Sequence, residues 1–197
     1  SGILTMSGNE NDDSFNFNTN VSSTIVAYGD EGNDTFTFEN ANITGNVTVD
    51  GGDLHDTFKF ESINNGSNLT INNFEVGLDS FEFSSAAFSG DMGHVLVFGH
   101  VDGSDFFPDS TQTFFEGEPT LSLHAFDEFD TQVDDLLNTS LDYWYYDTTD
   151  GYLYYDHDSD QSMEDAVQIA KVTDNLAPLT KEELNSSDIT YDHGSTL

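Results

Sequence analysis

The stretch "YGDEGNDTFTF", residues 28–38, sets the plan of the chain. Three acidic residues, Asp30, Glu31 and Asp34, stand within one Gly-rich turn, and a Phe-x-Phe pair follows at once. Carboxylates at such a spacing repel one another unless a cation lies between them. Both Phe rings fall on one face of a strand, because side chains alternate with a period of two along a β-strand. The stretch therefore predicts an acidic turn that leads into a half-buried strand.

The pattern Asp-Ser/Thr-Phe-x-Phe recurs four times at nearly constant spacing. It begins at Asp13, Asp34, Asp56 and Asp79, in steps of 21, 22 and 23 residues. A six-residue turn precedes each copy and a second short strand separates successive copies. Two short strands cannot bury their own apolar face, whereas stacked repeats bury a continuous core. Residues 1–83 are therefore predicted to form a parallel β-solenoid of about four coils, each of about 22 residues.

The same period predicts two aromatic columns inside the solenoid. The first Phe of each pair stacks on the first Phe of the next coil, and the second on the second. The columns are Phe15, Phe36, Phe58 and Phe81, and Phe17, Phe38, Phe60 and Phe83.

After the fourth repeat the period stops, and residues 84–197 are predicted to form a β-rich C-terminal cap. The aromatic runs within 142–156 flank a Thr-Thr-Asp-Gly turn and predict a hairpin. Residues 102–119 are predicted to form a loop. The apolar residues of 162–172 fit a helix or a strand equally well. A capping box at the start of 179–189 predicts a short helix. The whole chain is expected to be all-β with one or two short helices.

The composition excludes several classes of partner. The chain has three Lys, no Arg and 38 Asp plus Glu, for a net charge of −35. It therefore lacks the cations that bind nucleic acid or anionic membranes. No apolar run is long enough to insert in a membrane. The absence of Cys excludes disulfides. A charge this large destabilises a compact state, and either a salt-rich habitat or bound divalent cations would offset it.

The turns resemble the calcium-binding nonapeptide Gly-Gly-x-Gly-x-Asp-x-U-x of RTX (repeats-in-toxin) proteins. Residues 29–37 fit except that Asp30 replaces the second Gly, and residues 51–59 fit except that Leu54 replaces the third. Residues 145–189 are similar to the C-terminal end of many RTX exoproteins. The resemblance implies a parallel β-roll, export through a type I secretion apparatus by an uncleaved secretion signal in the C-terminal region 84–197, and folding on extracellular calcium.

The resemblance also implies a set of calcium ligands, and these are expected along one edge of the roll only, since the opposite turns lack Gly-x-Asp. Two or three ions are expected between successive turns, because calcium takes six to eight oxygen ligands from carboxylates and backbone carbonyls. The alternative is a set of Asp/Gly turns without an ion. The looser turn at 74–79 is the least suited to bind one. The expected ligands are Asp13, Gly29, Asp30, Glu31, Gly32, Asp34, Gly51, Asp53, Asp56 and Asp79.

A second acidic segment lies at residues 156–165. Asp156, Asp158 and Asp160 have the spacing that opens an EF-hand loop, but the match fails further along the segment. The segment predicts either one more calcium ion or a solvated acidic loop.

Together these features predict a calcium-binding module at the C-terminal end of a larger bacterial protein that is secreted or displayed on the cell surface. An alternative is a calcium-dependent adhesion domain that binds carbohydrate through the Tyr/Trp residues of the hairpin or through residues 100–140. No known catalytic motif is present, so an enzyme is not expected. Acid is expected to weaken the calcium-loaded fold, because ligand carboxylates must be deprotonated.

Overall fold

The computed structural model is all-β, as the sequence predicted. It describes residues 2–39, 43–63, 68–88, 94–102, 105–114, 142–156, 163, 165–174, 176–179 and 189–192. No helix occurs in these ranges, and hence none that is long and apolar enough to cross a membrane.

Four strands form each wall of a parallel β-solenoid. The first wall contains β1 (Ile3–Ser7), β3 (Thr24–Glu31), β5 (Val47–Asp53) and β7 (Leu69–Asn72), and the second contains β2 (Ser14–Phe17), β4 (Thr35–Phe38), β6 (Thr57–Phe60) and β8 (Ser80–Ser84). The chain alternates between the walls, so each strand pairs in parallel with the strand two elements later. Each of the four predicted repeats contributes one strand to each wall. Over these eight strands the chain completes about three full turns of the solenoid.

The core lies between the two walls and contains the two predicted Phe columns. Ring centroids along the column that begins at Phe17 lie 5.1, 5.0 and 5.3 Å apart. Along the column that begins at Phe15 the distances are 4.8, 5.4 and 6.1 Å. Val47, Val49 and Leu69 meet the rings from the first wall and are buried. Each ring pair contributes about 0.5–1.5 kcal/mol beyond its burial, so the columns tie the coils together.

The C-terminal segment continues both walls. In the first wall, β13 (Val167–Asp174) pairs in parallel with β7. In the second wall, β15 (Ile189–Asp192) pairs in parallel with β8. The last coil is therefore covered in both sheets.

Beyond β13 the first sheet runs on through a hairpin and two further strands. β12 (Tyr152–Asp156) pairs with β13 and with β11 (Asp142–Asp147), and both pairs are antiparallel. β9 (His94–Asp102) then pairs with β11 in parallel and with the edge strand β10 (Asp105–Phe114) in antiparallel. A short strand, β14 (Ala177–Pro178), pairs with β13 off this path.

Several predictions for the cap can be compared with these strands. The hairpin is confirmed as β11 and β12. The segment that fitted either a helix or a strand is a strand, β13. The predicted loop at 102–119 was wrong over β10, which contains Pro108. Pro is tolerated there because β10 is an edge strand and its register shifts next to that residue. Most of the predicted helix at 179–189 lies outside the described residues.

Candidate cation site

Four turns carry the chain from the first wall to the second and form one edge of the solenoid, here called the acidic edge. They span residues 8–13, 29–34, 51–56 and 74–79. Their second and fourth residues adopt positive φ angles in most cases, including Asp30 at 73° and Leu54 at 87°. These two residues are the ones that replace Gly in the resembled nonapeptide, so they keep the left-handed backbone that Gly favours. Leu54 holds this conformation under strain.

The last residue of each turn links it to the turn before. Asp13 N donates to Asp34 Oδ1 at 2.7 Å, Asp34 N to Asp56 Oδ1 at 2.8 Å, and Asp56 N to Asp79 Oδ1 at 3.0 Å. We call this series the forward ladder. It explains why every turn ends in Asp: one carboxylate oxygen satisfies a backbone N–H of the neighbouring coil.

A second series, the return ladder, runs in the opposite direction one residue earlier. Asn33 N donates to Asp12 Oδ1 at 2.8 Å, and His55 N donates to Asn33 Oδ1 at 3.3 Å. The His55 ring contacts the fourth turn, with Nδ1 2.9 Å from the carbonyl oxygen of Leu78, but there the earlier coil donates. The first two pairs of stacked turns are therefore each joined by two side-chain contacts of opposite direction, and the third pair by two of the same direction. Protein groups alone hold the turns in register.

In the second and third turns the other oxygen of the terminal Asp has no such contact. Asp34 Oδ2 and Asp56 Oδ2 are both buried without a hydrogen-bond partner. A buried polar atom left unpaired costs about 1–3 kcal/mol, and a charged one more.

The unpaired oxygen faces the Gly that stands five residues earlier. A Cβ on Gly29 would collide with both Asp34 Oδ2 and the Gly51 carbonyl oxygen, and a Cβ on Gly51 would collide with Asp56 Oδ2. At Gly8 the same position lies 2.6 Å from Asp13 Oδ2 and 2.6 Å from the Gly29 carbonyl oxygen. Only Gly leaves room for the carboxylate.

A carboxylate oxygen and a carbonyl oxygen of the next coil thus converge beside Gly8 and beside Gly29. Both atoms are hydrogen-bond acceptors, so they repel each other unless a proton or a cation lies between them. Beside Gly8 each of the two oxygens lies 2.6 Å from the Cβ position, so they are at most twice that distance apart. Calcium binds oxygen at about 2.3–2.6 Å, so one ion would reach both. The donor set is all oxygen, which suits calcium or magnesium.

The electrostatics of the buried carboxylates agree with this crowding. Burial raises the pKa of Asp34, and raises the pKa of Asp56 to about 6 and that of Asp79 to about 7. Neighbouring carboxylates add to this upward shift of the pKa, while the hydrogen bonds from backbone N–H groups oppose it. Without a counter-ion these groups therefore retain their protons at a higher pH than an ordinary Asp does.

The fourth turn is built differently. From Val49 to Asp56 the chain advances seven residues, but from Ile71, the register partner of Val49, to Asp79 it advances eight. The extra residue lets Glu75 N donate to Asp79 Oδ2 at 2.8 Å, so both oxygens of that carboxylate accept hydrogen bonds. Phe74 stands where the other turns have Gly, and its ring stacks on the second-wall Phe column. No unpaired oxygen remains in this turn.

The other predicted ligands lie on the outer side of the acidic edge. Asp30 is half-buried and accepts hydrogen bonds from Ser7 Oγ and from Asn9 N. Glu31 and Asp53 are exposed and in register with each other. Gly32 packs against the backbone of the first turn. Among the described residues, no group of three or more acidic or His side chains is arranged to hold an ion, so an ion would depend on backbone carbonyls.

The second acidic segment is described only in part. Asp156 is buried at the end of β12, where Tyr145 Oη donates to its Oδ2 at 3.4 Å. Asp158 and Asp160 lie outside the described residues. The prediction of an additional ion there stays a prediction.

The hairpin aromatics are largely packed inside the cap. Trp144, Tyr145, Tyr146 and Tyr155 are buried. The Trp144 ring lies 4.1 Å from Phe83 and so extends the second Phe column into the cap. Their burial favours a packing role over sugar stacking.

Sequence reasoning missed two parts of the site. Gly8 was not among the expected ligands, although a Gly stands five residues before Asp13, Asp34 and Asp56 alike. The return ladder through Asp12, Asn33 and His55 has no sequence motif, since its members differ from turn to turn.

The chain was compared with models of protein families, with curated proteins and with solved structures, and none of the three comparisons found a match.

Proposed function

We propose that the chain is a calcium-binding β-roll module of the RTX type, whose acidic edge binds calcium between successive coils. The observation that carries the proposal is the buried, unpartnered Asp34 Oδ2 beside the Gly51 carbonyl oxygen. Calcium there would be held by Asp34 and the Gly51 carbonyl, with Asp13 and the Gly29 carbonyl as the equivalent pair one coil earlier. When bound, the ion supplies the positive charge that these converging acceptors lack.

The proposed role follows from the balance of charge on the edge. Before calcium binds, the stacked carboxylates oppose coil formation, because burial and mutual repulsion disfavour their charged forms. After it binds, the binding free energy adds to the stability of the fold. Calcium would thus shift the folding equilibrium, so that the module is less folded where calcium is scarce and fully folded where calcium is abundant. This suits the C-terminal end of a larger protein that leaves a bacterium through a type I secretion apparatus and works outside the cell.

The test is a calcium titration of the metal-free chain. We expect two or three calcium ions per chain by native mass spectrometry, and a gain of β-structure or of stability by circular dichroism. At a free calcium concentration of one hundred times Kd, each site would add about 2.7 kcal/mol. Magnesium is the control, because it demands a smaller octahedral shell and would bind more weakly. A chain equally stable in chelator and in calcium would contradict the proposal.

A further inference from the structure

The two ends of the solenoid are not equivalent. At the C-terminal end, β13 and β15 cover the last coil in both sheets. At the other end, β1 and β2 are the edge strands of their sheets, and each pairs on one side only. Together they form what we call the open face.

The open face exposes side chains that belong to the core. Leu4 is in register with the column that runs through Ile25 to Val47, and it is 52% exposed whereas Val47 is 1% exposed. Phe15 begins its Phe column and is only partly buried, whereas its neighbour Phe36 is fully buried. These inward-facing residues are uncovered only because no coil lies above them.

The open face also leaves one end of each ladder unfilled. Inside the solenoid, the Asp that ends a turn accepts an N–H from the coil before it, as Asp34 does from Asp13. Asp13 has no such donor among the described residues. In the return ladder, Asn33 N is accepted by the Asp12 side chain, but Asp12 N has no equivalent acceptor there. One acceptor and one donor therefore point away from the solenoid at fixed positions.

We propose that the open face is a docking surface for one further coil of the same repeat, running parallel to β1 and β2. The contact would continue the interface that already joins each coil to the next. Its chemistry specifies the partner: a turn that ends in Asn/Asp-Asp, so that the first side chain accepts Asp12 N–H and the second residue's N–H reaches Asp13. A Ser/Thr-Phe-x-Phe strand must follow, to cover Phe15 and to continue both Phe columns. These contacts involve protein groups alone and do not require the proposed calcium.

The test supplies such a coil in trans. The probe is a peptide of residues 23–38, which holds one first-wall strand, its turn and one second-wall strand. We expect saturable binding to the intact chain and slower amide hydrogen exchange in β1, β2 and the turn between them, with no change in β11 or β12. Exchange is measured both in calcium and in chelator, and a result counts in each condition in which circular dichroism shows a folded chain. Peptide binding is therefore tested independently of calcium binding.

Two controls identify the contact. A peptide with Phe36→Ser and Phe38→Ser keeps the charge and the turn but should not bind. A chain with Leu4→Ser should bind the original peptide at least tenfold more weakly while keeping its fold, because Leu4 is already half-exposed.

Two results would overturn the proposal. One is the absence of protection in β1 and β2 at the highest soluble peptide concentration. The other is protection of the same amides without peptide, together with a doubled mass in sedimentation, which would identify a second copy of the chain as the occupant.

Discussion

The first three turns of the acidic edge and the fourth end in the same residue, yet they leave that residue in different states. In the first three, a Gly five residues before the Asp brings the carboxylate against the backbone. Asp34 and Asp56 then keep one buried oxygen without a partner. In the fourth, one extra residue turns the Glu75 N–H onto Asp79, and both oxygens are paired. A conserved position in a repeat is therefore not enough to define a site.

The comparison separates two roles that the repeat combines. The Asp at the end of each turn is a structural residue, because its Oδ1 accepts an N–H in every coil that has a predecessor. The Gly five residues earlier turns this Asp into part of a candidate cation site. Beside Gly8 and Gly29, the missing side chain allows the second carboxylate oxygen to face a carbonyl of the next coil. The four predictions below test this division, from the largest effect to the smallest.

Substituting the Gly of a candidate site is expected to have the largest effect. In Gly29→Ala, the new Cβ would collide with Asp34 Oδ2 and with the Gly51 carbonyl oxygen, neither of which has room to move. We expect a loss of at least about 3 kcal/mol in the free energy of unfolding, measured by urea titration in calcium. Gly2→Ala is the control, because nothing lies within 4 Å of its Cβ, and it should change stability by less than about 0.5 kcal/mol. Equal effects would contradict the proposed packing.

Acid should have opposite effects on the metal-free and the calcium-loaded chain. The pKa values of Asp56 and Asp79 are raised to about 6 and about 7, above 3.8, so the folded state binds more protons than the unfolded state between those limits. Stability of the metal-free chain should therefore rise as the pH falls from 8 to 5, by several degrees in Tm. The extra stability that calcium confers should shrink over the same range, because protons compete for the ligands. Thermal melts in chelator and in calcium at each pH would reveal the two slopes, and parallel slopes would refute the prediction.

Asp34→Asn and Asp79→Asn remove the same charge but differ in what the new amide meets. In Asp34→Asn, Oδ1 still accepts the Asp13 N–H, while the Nδ2 donor replaces an unpaired oxygen beside Gly51 O. In Asp79→Asn, the NH2 group must face a backbone N–H that had an acceptor. Without calcium, we expect Asp34→Asn to be more stable than Asp79→Asn by about 1–3 kcal/mol.

The two variants should also differ in how much calcium stabilises them. Asp34→Asn should lose part of the calcium-dependent gain, since an amide nitrogen is no ligand for a hard cation. Asp79→Asn should keep that gain. If both variants responded to calcium alike, the fourth turn would be no different from the others.

The smallest expected effect concerns backbone strain at the acidic edge. Leu54 has φ of 87° and a side chain that is 54% exposed, so Leu54→Gly relieves strain and loses little burial. We expect a gain of about 0.5–1 kcal/mol in calcium, after the entropy cost of Gly in the unfolded chain. Leu78→Gly is the matched control, because Leu78 is similarly exposed but has no positive φ, and it should lose about 0.5–1 kcal/mol. A loss in Leu54→Gly would show that Leu54 contributes packing.

The walls of the solenoid could be predicted from the sequence because two periods coincide. Alternation along a strand places both rings of each Phe-x-Phe inward, and the repeat of about 22 residues places each pair over the last. The cap lacks any such period. The strand β10 was missed because its Pro, Gly and Asp-rich flanks favour a loop, and only its pairing with β9 decides otherwise.

The acidic edge was predictable in its residues but not in its contacts. Asp13, Asp34 and Asp56 stand out by their recurrence. Which oxygen of each is paired depends on the turn conformation, and that changes with one added residue. Asp79 has the same sequence motif and a different environment for this reason.

The steps of 21, 22 and 23 residues also carry information about how such an array changes length. From the first-wall core residue to the Asp of its turn, the chain takes nine residues in the coils that begin at Leu4, Ile25 and Val47, and ten in the coil that begins at Leu69. The shorter first step is absorbed on the opposite edge. One residue inserted on that opposite edge leaves the acidic turns unchanged. One residue inserted on the acidic edge removes the unpaired carboxylate oxygen from the turn that receives it. The edge at which the residue is inserted thus decides whether a mutation only lengthens the repeat or also removes its candidate cation site.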